Sequence, residues 1–209
     1  MIKEFLKKTF IRKLWDRYLG LKNWYIQKFV ILSYDEKRSI LLSYKKKYGL
    51  DYFVETGTFF GDTVEFFRNK FKKVYSIELS EELALKCSKR FENISNVKII
   101  QGDSGEILND IIKEISSPIL FWLDGHYSSE FYVGDQYIRT AKGEKETPIL
   151  EELSTILSRQ NKKHVILIDD ARCFNGQNDY PEYSYLKKYI LKLNPSAKIE
   201  KKRDIIRIT

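Results

Sequence analysis

Six acidic residues of this 209-residue chain stand at or just behind the end of a short apolar run. Glu55 closes Tyr52–Val54, Glu78 follows Val74–Ile77 and Asp103 follows Val97–Gln101. Asp124 follows Ile119–Leu123, and the pair Asp169 and Asp170 follows Val165–Ile168. If the five runs are strands of one parallel sheet, all six acids lie along its carboxyl edge, where ligands bind at the reversal of strand order.

The first three acids suit an adenosine-type ligand. Glu55 begins the loop Glu55-Thr56-Gly57-Thr58-Phe59-Phe60-Gly61-Asp62-Thr63, in which Gly57 permits a tight turn and Gly61 a close approach at the helix entry. A carboxylate there repels a pyrophosphate and favours a ligand with a cationic amino end, so S-adenosylmethionine fits better than a dinucleotide. Glu78, with Leu79 beside it, is placed to accept the hydroxyl hydrogens of a ribose. Asp103, with Ser104, can accept from the adenine amino group or a water next to it. Each acid alone would serve equally as a helix cap. An acid behind each of three successive strands favours cofactor binding by Glu55, Thr56, Gly57, Thr58, Gly61, Thr63, Glu78, Leu79, Asp103, Ser104 and Asp124.

The remaining acids suit a reaction. Asp124, Asp169 and Asp170 would converge if the fourth and fifth strands are neighbours, and three close carboxylates repel unless they are protonated or neutralised. A hard divalent cation, Mg²⁺ or Mn²⁺, neutralises such a set and can hold two vicinal hydroxyls, lowering the pKa of one. Asp124 and Asp170 are thereby expected to be catalytic, with His126 two residues beyond Asp124 as the general base. The long insertion 128–147 is expected to be a lid or substrate loop. Tyr127, Tyr132 and Tyr137 can stack on sugar faces, while Arg139, Lys142 and Arg172 can bind hydroxyls or a phosphate. Thr147 and Pro148 then suggest an N-cap and first helical residue, with Glu151 completing a capping box and Glu152 free to brace the active loop.

Positioning these groups requires helices between the strands. Periodic stretches near Asp62–Lys70, Glu81–Phe91, Gly105–Ile115 and Pro148–Gln160 supply them, and a last helix near Tyr183–Leu193 precedes a terminal strand pair joined around Lys202–Asp204. The fold class expected is α/β, a doubly wound, mostly parallel seven-stranded sheet over residues 49–209 with an antiparallel hairpin at its edge. Residues 1–48 form a basic helical cap or extension: one helix or a pair broken near Gly20, then a second helix over Glu36–Lys47.

The formal charge of +8 belongs to that extension. Residues 1–48 hold 13 Lys or Arg against 4 Asp or Glu, +9, and the rest 24 against 25, −1. A near-neutral catalytic domain offers no phosphate track, which argues against a nucleic-acid partner. No apolar run is long enough for a transmembrane segment, and two isolated cysteines with no signal-like N-terminus suggest a cytoplasmic, reducing compartment. The extension suits a homodimer contact, a membrane surface or a partner protein.

Residues 49–209 resemble class I S-adenosylmethionine-dependent methyltransferases. That resemblance places the methionine part of the cofactor on Glu55–Gly61, the ribose on Glu78 and the adenine near Asp103. Within the class, FWLDGHY and ILIDDAR resemble the metal-dependent macrocin-type and FkbM-like sugar O-methyltransferases. This implies a divalent metal on Asp124, Asp169 and Asp170, and a base at His126 where many members carry an Asp. The chain is also similar to glycosyltransferase-linked domains of large algal viruses that methylate rhamnose hydroxyls, implying a carbohydrate or glycan acceptor and attachment to a glycosyltransferase through the N-terminal helices. Catechol-type and RNA ribose O-methylation, or a noncatalytic binding module, are the alternatives.

Overall fold

Ser33 has an extended backbone, and its hydroxyl and the Glu36 carboxylate satisfy each other's backbone N–H in a capping box that starts a helix. That helix stops at Gly49, whose left-handed φ of 62° closes it. The computed structural model describes residues 2–25, 31–125, 130–133, 136–139, 145–158 and 163–209, with backbone alone at 2–11, 23, 130–133 and 136–139. Helix α1 (Ile2–Tyr25) precedes the capped helix α2 (Tyr34–Tyr48). There follow β1 (Tyr52–Thr56), α3 (Asp62–Phe67), β2 (Lys73–Glu78), α4 (Glu81–Arg90), β3 (Val97–Gln101), α5 (Ser104–Glu114) and β4 (Ile119–Leu123). The chain continues through β5 (Glu130–Val133), β6 (Gln136–Arg139), α6 (Ile149–Leu157), β7 (Val165–Ile168), α7 (Tyr183–Leu193), β8 (Ile199–Lys202) and β9 (Ile205–Ile208).

Seven strands form one sheet in the order β3-β2-β1-β4-β7-β9-β8. The first five of that order are parallel, while β9 pairs antiparallel with both β7 and β8. The sheet is therefore mixed at the edge where the terminal hairpin was expected. Strand order reverses between β1 and β4, and the crevice beyond those two strand ends is the switch point.

Alternate residues of the central strands feed two cores. Val54, Phe121 and Ile166 pack with Leu108, Ile112, Leu153 and Leu186 from α5, α6 and α7. Phe53, Trp122 and Leu167 pack on the other face with Leu41, Val64, Phe67 and Cys87 from α2, α3 and α4. Burial on both faces is what a parallel sheet covered by crossover helices requires.

Of the two alternatives for the first segment, α1 is the single helix, unbroken at Gly20, because one glycine costs a helix only about 1 kcal/mol relative to alanine. Leu14, Trp15, Tyr18, Leu21 and Trp24 of α1 are exposed, so the aromatic stripe does not pack on the sheet layers, whereas Leu41 of α2 is fully buried. Helix α6 begins one residue later than Thr147 and Pro148 suggested: Pro148 holds the cap position without a side-chain bond, and Glu151 pairs with Lys145 instead of closing a capping box. Inside the 128–147 insertion, β5 and β6 pair antiparallel with Tyr132 opposite Tyr137 and Glu130 opposite Arg139. Their short alternation was hidden in a polar stretch.

Candidate active site

The backbone ladder continues past the strand ends. Gly102 N–H donates to the Glu78 carbonyl at 2.9 Å, Gly57 N–H to the Ile77 carbonyl at 2.9 Å, Asp124 N–H to the Thr56 carbonyl at 3.1 Å and Asp169 N–H to the Leu123 carbonyl at 3.0 Å. The carboxyl ends of five strands are thus fixed in one row. The row is tightest at the switch point: Gly125 N–H donates to Thr56 Oγ1 at 3.2 Å, and a Cβ on Gly125 would lie 3.0 Å from that same oxygen.

On the β1–β2 side, Glu78 organises the glycine loop. Its two carboxylate oxygens accept the N–H groups of Phe59 at 2.8 Å and Ser80 at 2.9 Å. Phe59 holds a left-handed φ of 51°, an uncommon conformation for an aromatic residue that such anchoring sustains. Burial raises the Glu78 pKa, and these backbone N–H groups pull it back down. Leu79 offers its carbonyl to Gln101 Nε2 at 3.2 Å.

Glu55 lies beneath the loop. It is 2 % exposed, and its carboxyl accepts from Ser76 Oγ at 2.7 Å, with Thr63 beside it. Ser76 in turn is 2.7 Å from the Thr58 hydroxyl. Burial pushes the Glu55 carboxyl up to about 8. The structure therefore brings Glu55, Thr58 and Thr63 together as a support under Gly57–Gly61. Gly61, at φ 80°, leaves room for the Phe91 ring, which a Cβ would meet at 2.7 Å.

At the next strand end Asp103 caps α5, accepting the Gly105 N–H at 2.7 Å, and Ser104 donates to the buried carboxyl of Glu152 at 2.6 Å. Burial pushes Glu152 up to about 7, while Ser104 and Thr56 draw it down. Glu152 therefore ties α6 to the end of β1 and the start of α5.

Beyond β4 and β7 the acids have internal partners. Asp170 sits at φ 51° and accepts from Arg172 Nη1 at 2.7 Å, and the same nitrogen pairs with the fully buried Asp204 of the terminal hairpin. Asp204 also accepts the Arg172 N–H at 2.9 Å. Asp169, 4 % exposed, pairs through Oδ2 with Lys37 of α2. Its Oδ1 has no hydrogen-bond partner among the described residues. A small cavity at this place is lined by Gly125, Thr147, Glu152, Asp169 and Tyr180. His126, Tyr127 and Lys142 lie outside the described residues, as do the side chains of Tyr132, Tyr137 and Arg139.

Among solved structures similar to this chain is an O-methyltransferase from Bacillus cereus in complex with SAH, with a TM-score of 0.59 and 15% identity over 93% of this chain and 89% of that one. The O-methyltransferase TomG from Streptomyces achromogenes, involved in tomaymycin synthesis and in complex with SAM, gives 0.55 and 13% over 87% and 81%. The fold is that of the Rossmann-like methyltransferases. The 23S rRNA methyltransferase ErmE shares it, with a TM-score of 0.51 and 13% identity over 87% of this chain and 69% of that one. No family model matches the sequence, and no curated protein matches it significantly.

A divalent cation on Asp124, Asp169 and Asp170 does not fit the residues as they stand. Among the described residues no three acidic, histidine or cysteine side chains gather as a metal-ligating group. The positive charges expected from a metal come from Lys37 against Asp169 and from Arg172 against Asp170. Arg172, expected to meet the acceptor, has one guanidinium nitrogen held by two internal carboxylates. Sequence inspection missed Lys37 and Asp204: one is a lysine in a lysine-rich helix, the other an Asp in a turn, and neither pattern marks a site.

Proposed function

We propose that the chain transfers a methyl group from S-adenosylmethionine to a hydroxyl of a carbohydrate acceptor, such as a rhamnose of a glycan. The carrying observation is the single row of strand ends, divided at the switch point into a half suited to the cofactor and a half rich in carboxylates. Glu78, already ordered by two amide donors, keeps further lone pairs for ribose hydroxyls. Thr56, Gly57, Thr58, Gly61 and Thr63 shape the methionine-binding loop above Glu55, and Leu79, Asp103 and Ser104 border the adenine.

S-adenosylmethionine supplies a methyl group on a positively charged sulfur. The acceptor oxygen forms a bond to that carbon as the carbon–sulfur bond breaks, the electron pair stays on sulfur, and the hydroxyl proton passes to His126. Holding acceptor and methyl in line is the main task of the surrounding residues. The sugar assignment rests on the FWLDGHY and ILIDDAR motifs, with Tyr127, Tyr132, Tyr137, Arg139 and Lys142 of the insertion proposed to contact the acceptor.

The exposed aromatic residues of α1 suit attachment to a glycosyltransferase or to a second copy. The free thiols Cys87 and Cys173 support a reducing, cytoplasm-like compartment, and no described helix is long and apolar enough to cross a membrane.

Calorimetry with S-adenosylhomocysteine and transfer of labelled methyl groups to rhamnose-bearing acceptors and to a catechol test this reading. Tight binding with label entering the deoxysugar is expected. Binding with label entering only the catechol, or no binding, would refute the respective half.

A further inference from the structure

Helix α2 belongs to the packing of the sheet, with Leu41 in its core, and from its first turn Lys37 reaches Asp169 across a separation of 132 positions. The helix is held in that place from both ends of its first turn. Glu36 pairs with Arg203 of the terminal hairpin, and Arg38 donates to the Asp62 carbonyl at 3.1 Å. Lys37 is largely covered, with a side-chain exposure of 16%. Burial opposes its charge, yet Asp169 first, then Asp124 and Asp170, hold the ammonium above the ordinary lysine range. The ammonium thus meets Asp169 directly, and the charges of Asp124 and Asp170 also favour it. On the other side of the pair, Asp169 Oδ1 is buried, lacks a described partner and belongs to a residue lining the small cavity.

We propose that the Lys37–Asp169 pair replaces a divalent cation as the device that holds vicinal hydroxyls of the acceptor. Asp169 Oδ1 accepts from one hydroxyl, and an N–H of Lys37 not used by Asp169 donates to the oxygen of its neighbour. A single hydroxyl satisfies only half of the device, which therefore favours vicinal diols. Lys37 is a positioning residue, and the reaction crevice is incomplete without α2. The inference rests on the methyltransferase reading for the identity of the acceptor, but the exchange of metal for ammonium is measurable without turnover.

The test uses the full chain, Lys37→Met and the charge-retaining Lys37→Arg. Electron paramagnetic resonance of free Mn²⁺ is expected to show no uptake by the wild-type chain or Lys37→Arg, and one ion per chain by Lys37→Met, in which the acids have lost their ammonium. Stoichiometric uptake by the wild-type chain, or none by a folded Lys37→Met, overturns the proposal. With an acceptor diol, Lys37→Met is expected to lower kcat about 100-fold, the scale of a lost positioning contact, with S-adenosylhomocysteine affinity within about twofold and partial rescue by Lys37→Arg. A kcat within about twofold of wild type, or abolition of wild-type turnover by EDTA, also overturns it. Failure of the wild-type chain to bind S-adenosylhomocysteine refutes the cofactor reading instead, and the Mn²⁺ result still decides the role of Lys37.

Discussion

A Cβ on Gly57 would lie 2.6 Å from the carbonyl oxygen of Asp124, so the loop behind β1 touches the loop behind β4 backbone to backbone. Gly57 also has a φ of 86°, which a side chain resists. Gly57→Ala is expected to destabilise the fold by about 1–3 kcal/mol and to weaken S-adenosylhomocysteine binding at least tenfold. Thermal unfolding and calorimetry measure the two effects, and a melting temperature equal to wild type would show that the loops can separate freely.

Glu78→Gln tests the organisation of the cofactor loop. A glutamine offers one acceptor oxygen to two backbone donors and turns its NH₂ group against the other. Loss of one hydrogen bond to a charged acceptor costs about 1.5–3 kcal/mol, so S-adenosylhomocysteine affinity should fall roughly 10- to 100-fold. Calorimetry reads this directly, and an unchanged Kd removes Glu78 from the site.

The buried carboxyls make stability depend on pH in an unusual direction. Glu55 and Glu152 are raised from 4.5 to about 8 and about 7. Between the unfolded and folded values the folded chain binds more protons, so their contribution is complete below about pH 4.5 and is lost as pH rises through 7 to 8. Unfolding free energy from urea titrations is expected to fall by on the order of a few kcal/mol between pH 5 and pH 8.5. Glu55→Gln should flatten that slope. A curve that rises over the same interval contradicts the burial-driven protonation of both residues.

Arg172 ties Asp170 to the buried Asp204 from a partly exposed position. Because solvent screens the guanidinium, a double-mutant cycle between Arg172→Met and Asp204→Asn is expected to give a coupling of about 1–2 kcal/mol. A value near zero would mean that the hairpin holds Asp170 by its backbone alone.

Two deletions separate the roles of the N-terminal helices. Removing residues 1–30 takes away a helix whose described side chains are exposed, and the melting temperature should change little. Removing residues 1–48 also deletes Leu32 and Leu41 from the core, and loss of two buried leucines costs about 4–10 kcal/mol. Circular dichroism should then show an unfolded or poorly folded chain. A stable 49–209 fragment would support the boundary drawn from composition.

Much of this architecture was visible in the sequence because the central strands are continuous apolar runs that end in acids. Val97–Gln101, Ile119–Leu123 and Val165–Ile168 match their strands residue for residue, and in the last two every residue is buried, so no alternation blurs the ends. Glu78 and Asp124 could be placed at the crevice from the same signal. Lys37 could not, because its role depends on how α2 packs across the sheet, which no local pattern records. The acids of the reaction crevice were legible too, but the positive charges set against two of them, Lys37 against Asp169 and Arg172 against Asp170, depend on packing that no local pattern records. Glu55 was legible as a special acid, while its place beneath the loop depended on the Ser76 hydroxyl of the next strand.

The residues proposed to hold the cofactor come mainly from one stretch of chain, 52–104. The other half depends on ion pairs between positions 132 and 167 residues apart, Lys37 with Asp169 and Glu36 with Arg203. Closing loops of that length carries an entropy cost that local contacts do not. On the proposed reading, a nascent or partly unfolded chain would shape its nucleotide pocket early, yet gain a grip on an acceptor only when these distant segments have met, which would couple turnover to completion of the whole fold.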